Sequence, residues 1–334
     1  MKKAILHIYK IKAKAISLSL LLCGTLSITN AQQVSYKVIY DDPLDVPNLF
    51  ATVSPFFAEA TDVGDFATIG FILQGNYNMG KRLAFEASFA RAYLDINARG
   101  GMITGTQNAL SKHNNIEAGG VFFFRDKIKK KKVKIVLHST SKTSTYIMAP
   151  ATVHAQIGLR GGLFYYNYAL QTDATTDYFI GTNPNSGKKD TLTTFNYHGI
   201  STNMNVTGVY LGIVRRKTYD ILIQTGGAQK SSSAIGEVYA DLFIAPVVHY
   251  SDVLGYSLSS TPSKYIGWRV GYQLIQPKAW GFQGRVEVGQ KPGWGVKSGL
   301  YLNASFGISI GKKLKSSIPK PLEEVPVSKE VPAK

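Results

Sequence analysis

The chain of 334 residues has a single cysteine, Cys23, which excludes an internal disulfide framework and a cysteine-based zinc site. Charge is scarce at 18% of residues while aromatics reach 11%, a balance that excludes a disordered chain. No stretch after residue 31 is apolar and long enough for a transmembrane helix, which needs about 20 residues. His113, His138, His154 and His198 show no metal-ligand spacing. The chain has no phosphate-binding glycine loop, dinucleotide fingerprint or zinc-protease motif, so no cofactor is expected. Glycine (32 residues) and tyrosine (19) are abundant, a pairing that favours strands and turns over helices.

Residues 1–31 read as a secretory signal. Lys2, Lys3, Lys10, Lys12 and Lys14 form its basic part and Ala15 to Ile28 its apolar part, with cleavage expected after Ala31. A lipoprotein signal is disfavoured because Leu22, not a small residue, precedes Cys23. Removing this segment lowers the net charge of +17 by five, to +12. Much of the basic character therefore belongs to targeting, and nucleic acid is not an expected partner. The Thr29-Asn30-Ala31 ending followed by Gln32-Gln33 resembles the signal junctions of Bacteroidota envelope proteins.

The remaining chain alternates with period two. In 297–311, Leu300, Leu302, Ala304, Phe306, Ile308 and Ile310 share one face, and Tyr301, Asn303, Ser305, Gly307 and Ser309 the other. Segments 67–79, 83–90, 152–165, 264–275 and 282–290 repeat the pattern. A soluble sandwich would bury the apolar face, whereas a transmembrane barrel turns it to lipid. The polar face is rich in glycine and uncharged residues, which favours the barrel. Aromatics near strand ends (Tyr165, Tyr166, Tyr168, Trp280, Phe282 and Trp294) read as interfacial girdles. The expected fold is all-β: a transmembrane antiparallel up-and-down barrel of about ten strands, within a range of eight to twelve. With its signal, alternation and girdles, the whole mature chain resembles a small bacterial outer-membrane β-barrel of Bacteroidota type.

The expected organisation is a signal peptide over 1–31, an N-terminal periplasmic arm over 32–48, the barrel over 49–312 and a periplasmic tail over 313–334. The strands are expected at 49–59, 67–79, 83–95, 115–125, 152–168, 196–215, 236–250, 264–275, 282–290 and 297–311. Short turns are expected at Met79–Arg82, Asp126–Lys132, Arg215–Thr218 and Gln276–Trp280, and longer loops at 96–114, 169–195 and 251–263. Val133–Ser139 and Tyr219–Thr225 read as strand pieces below the membrane or as an extra hairpin. The tail carries Pro319, Pro321, Pro326 and Pro332 among mixed charges, the composition of an extended tether.

The candidate site is the set of charges on the polar faces: Glu86, Glu117, Arg160, Asp241, Arg269, Arg285 and Glu287. A charge inside a narrow barrel needs a partner or water. The set is either a selectivity ring for solutes or a salt-bridged plug, and the balance of signs favours the plug. His249 and Ser251, two residues apart, resemble the pair of an outer-membrane lipid deacylase, in which histidine activates serine. No other part of the chain supports that match. Lys129–Lys132 read as a solvated basic turn.

The functional expectation is a non-enzymatic envelope protein with a structural or partner-docking role. Its expected partners are outer-membrane lipids, lipopolysaccharide and an envelope protein reached through the tail. A narrow passive pore is the first alternative and a lipid hydrolase using His249 and Ser251 the second. Fold alone does not choose among them.

Overall fold

The computed structural model describes residues 35–61, 66–97, 113–139, 144–171, 177–193 and 201–312. The segments read as signal peptide and tail lie outside the described residues, as does most of the loop at 96–114.

All regular structure among the described residues is strand. In chain order the strands are β1 (Lys37–Asp41), β2 (Leu49–Thr61), β3 (Phe66–Met79), β4 (Leu83–Asn97), β5 (Asn114–Ser139), β6 (Ser144–Gln171), β7 (Tyr178–Thr182), β8 (Lys189–Thr193), β9 (Ser201–Thr225), β10 (Ala228–Tyr250), β11 (Ser263–Lys264), β12 (Ile266–Ile275), β13 (Gly281–Gln290), β14 (Gly293–Trp294) and β15 (Leu300–Lys312). Ten of them form one ring in the order β9-β10-β12-β13-β15-β2-β3-β4-β5-β6, and pairing of β6 with β9 closes it. Every pairing in the ring is antiparallel. Closure leaves no edge within the ring, which is how a sheet satisfies its backbone groups without a second layer.

Alternation decides which face points inward. In β15 Tyr301, Asn303 and Ser309 are buried while Leu300, Leu302, Phe306 and Ile308 are exposed. In β12 Gly267, Arg269, Gly271 and Gln273 are buried and the residues between them are exposed or nearly so. Two register shifts carry a proline: Pro55 lies between Ser54 and Phe57 in β2, and Pro246 between Ile244 and Val247 in β10. Proline has no N–H to give a ladder, so it sits where the ladder is already broken.

Two of the expected turns are corrected. Asp126–Lys132 lies within β5 and Arg215–Thr218 within β9, both mid-strand. The β9–β10 turn is instead Gly226-Gly227, with φ of +52° and +88°, joining paired Thr225 and Ala228. Positive φ at both central positions is the geometry of a tight hairpin turn and needs glycine or asparagine. Val133–Ser139 and Tyr219–Thr225 are thus continuations of β5 and β9. They carry two hairpins beyond the ring at its short-turn end.

Below the ring β6 and β9 part after the pair His154–Thr218. β1 takes the vacated edge of β9, with Lys37 opposite Gln224 and Asp41 opposite Ile221. Asp41 also accepts bonds from the Thr152 backbone N–H (2.8 and 3.0 Å) and hydroxyl (2.7 Å) on β6. Ile135, Ile147, Ala149 and Ala151 of one hairpin and Ile221 and Ile223 of the other form a small second core, with Tyr36 packed against it. The N-terminal arm is therefore folded into the short-turn end.

Candidate functional site

The lumen is filled in layers. At the loop end the β7–β8 hairpin brings Phe179 and Leu192 onto wall residues Phe164, Tyr166, Met204 and Phe243. Trp294 stacks on Phe179 with ring centroids 4.8 Å apart. Three of the residues read as girdle aromatics, Tyr166, Tyr168 and Trp294, are buried in this lid or just beneath it, which corrects their assignment. Trp280 and Phe282 are exposed on the outer surface.

Beneath the lid, Lys291 Nζ donates to both oxygens of Glu59 at 2.7 Å and to the Tyr168 hydroxyl at 2.5 Å. Asn303 adds a bond to Glu59 at 3.2 Å. Neither Lys291 nor Glu59 was among the sequence candidates. The β2 bulge switches the inward parity from Thr52 and Ser54 to Phe57 and Glu59, which hides Glu59 from an alternation count. Lys291 lies one residue past the end of β13.

The structure brings all seven candidate charges together in the layer below. Arg269 Nε donates to Asp241 at 2.6 Å, and its Nη1 donates to both oxygens of Glu117, at 2.9 and 2.8 Å. Glu287 lies 3.4 Å from the same Nη1 and accepts from Arg285 and from the Tyr239 hydroxyl, both at 2.5 Å. Arg160 donates to Glu86 and lies 3.4 Å from Asp241. The Tyr210 hydroxyl also donates to Glu86, at 3.2 Å. Three arginines face four carboxylates, and each arginine also lies near an aromatic face. Arg160 is 4.1 Å from the Tyr239 centroid and Arg269 4.9 Å from that of Phe243. A fork of donors on a planar cation suits such a cluster, because one guanidinium can serve several carboxylates.

Inward glycines make room for it. A Cβ on Gly271 would lie 2.3 Å from the Tyr239 ring, and one on Gly212 would lie 2.1 Å from Asp241 Oδ1. Toward the short turns, Thr52, Gln283 and Gln74 are linked in a chain of side-chain bonds of 2.5 Å. Arg216 joins Glu237 (2.5 Å) and Asn78 (2.7 Å). Phe50, Ile235 and Ile275 then close the floor, with Val46 of the N-terminal arm packed against them.

His249 and Ser251 are not joined by a hydrogen bond among the described residues. His249 is exposed and pairs in register with Asn205, while the Ser251 N–H donates to the Asn203 carbonyl at 2.8 Å. Among the described residues no group of three or more histidine, cysteine, aspartate or glutamate side chains has metal-binding geometry.

No protein-family model matches the chain, and no curated protein matches it. The functional reading therefore stands on the barrel and its contents.

Proposed function

We propose that the protein is an outer-membrane β-barrel with a non-enzymatic role in the cell envelope, structural or partner-docking, and that its lumen carries no solute flow. The observation that carries this reading is the filled lumen. The charges inside it neutralise one another across the bore, between an aromatic lid and an apolar floor.

A membrane setting is supported by the outer surface. Each ring strand exposes at least one large apolar side chain: Phe56, Leu73, Phe85, Phe122, Leu159, Leu211, Leu242, Val270, Val286 and Phe306. Soluble monomers rarely expose a contiguous apolar area above a few hundred Å². An exported closed barrel with such a band fits the outer membrane.

Docking is assigned to the short-turn end. There β15 ends at Lys312 opposite Leu49, so the tail begins on the same side as the two protruding hairpins. The test of the setting is flotation with vesicles together with heat-modifiable gel migration. A folded protein that stays in the aqueous phase overturns the reading. The tail version of docking predicts that deleting 313–334 removes an envelope partner while the barrel still folds.

A further inference from the structure

The outer face of the barrel changes character at one level of β5, β6 and β9. On β5 the exposed residues Phe122 and Phe124 give way to Arg125 and Lys127. On β9 the exposed residues Leu211 and Ile213 give way to Arg215 and Lys217. The two changes are in register. Arg125 and Arg215 are both opposite Ile157 of β6, and Lys127 and Lys217 are both opposite Ala155. Four cations therefore flank Ile157 and Ala155 on the outer face. From strand spacing and rise, the frame measures roughly 10 Å across and roughly 7 Å along the strands.

None of the four makes an ion pair among the described residues. The nearest acid in sequence, Asp126, is on the other face and pairs with His154. Protection of a free strand edge, a common use of lysine, accounts for Lys130, Lys132 and Lys134 on β5. It does not account for Arg215 and Lys217, because β9 is flanked there by β6 on one side and β10 on the other.

We infer that this frame is a binding site for the phosphate of an anionic phospholipid in the leaflet at the short-turn end. The inference rests on the membrane reading given above. A lipid is favoured over a soluble anion because the frame borders the exposed apolar band directly. A headgroup held at Ala155 would lay its chains over Leu159, Phe122 and Ile213, while the long cationic side chains reach out to the phosphate.

The test uses the full mature chain in neutral detergent, offered equal amounts of phosphatidylglycerol and phosphatidylcholine with the same acyl chains. Bound lipid is counted by native mass spectrometry. The expected result is preferential retention of phosphatidylglycerol by about tenfold. The preference should vanish in R125Q/K127Q/R215Q/K217Q and persist in K130Q/K132Q/K134Q on the other face of β5. Since all these positions are exposed, heat-modifiable migration should be unchanged in both variants. Should the quadruple variant fail to fold, loss of the wild-type preference in high salt carries the same prediction. Equal retention of both lipids, or equal loss in both variants, overturns the site. Displacement of the lipid by an equal concentration of inorganic phosphate makes it a soluble-anion site and also overturns the lipid assignment. Flotation in phosphatidylcholine vesicles separates the two readings: a barrel that inserts without headgroup preference loses only this inference, and one that never inserts loses both.

Discussion

Arg269 and Glu117 stand on opposite walls of the barrel, 152 residues apart in sequence, and Arg269 Nη1 meets both carboxylate oxygens of Glu117 within 2.9 Å. The same guanidinium reaches Asp241 through Nε and lies near Glu287, so one side chain from β12 ties β5, β10 and β13 together. Arg269 is only 1% exposed. Replacing it by methionine leaves the buried Asp241 and Glu287 and the partly buried Glu117 short of a cation. The expected loss is about 3–5 kcal/mol, the usual consequence of removing one member of a buried ion cluster. The urea midpoint of the heat-modifiable band measures it. Arg269→Lys should recover part of the loss, because an ammonium keeps the charge but not the fork.

The upper pair offers a cleaner separation of charge from packing. Lys291→Met strands Glu59, and Glu59→Leu strands Lys291. Each single change should cost about 3 kcal/mol or more, while the double change should cost less than either, since two well-packed apolar groups can replace a buried pair. Urea unfolding of the four proteins gives the coupling directly. A strictly additive double variant contradicts the pairing.

Gly271→Val tests why glycine lines the lumen. The added side chain must displace Tyr239, whose hydroxyl bonds Glu287. A loss of about 1–3 kcal/mol is expected from overpacking alone. Gly284→Ala is the control: a Cβ there meets nothing within 4 Å, so stability should change by less than about 0.5 kcal/mol.

Asp41→Ala tests the folded arm. It removes the acceptor for the Thr152 backbone N–H and hydroxyl where β6 leaves β9. The change should be local. Amide exchange should accelerate at 144–153 and in β1, by an opening free energy lowered about 1–3 kcal/mol, with the ring strands protected as before. Uniform acceleration through the ring contradicts a separate short-turn core.

The ten ring strands and their inward faces were legible because each strand turns an exposed apolar face outward and a largely polar face inward, and period-two alternation survives wherever the two sides differ. Arg160, Arg269 and Glu287 were found this way. The signal fades below the ring. From Arg125 to Lys132 every residue is exposed, so there is no buried side for the pattern to mark, and a continuing strand reads as a basic turn. The Gly226-Gly227 hairpin cue is present in the sequence, but the basic run at Arg215–Lys217 has the composition of a turn as well. Glu59 was hidden by the bulge at Pro55. The lid was hidden for another reason: Tyr166, Tyr168 and Trp294 have the composition of a girdle, and only the fold turns them inward.

The most direct test of the account is single-channel conductance of the refolded chain in planar bilayers, on preparations whose insertion is established by heat-modifiable migration. A filled lumen predicts an inserted but silent barrel. Steady conductance in the wild type, shifted in ion selectivity by Arg269→Gln or Arg285→Gln, would contradict it and turn the same charges into the filter of a pore.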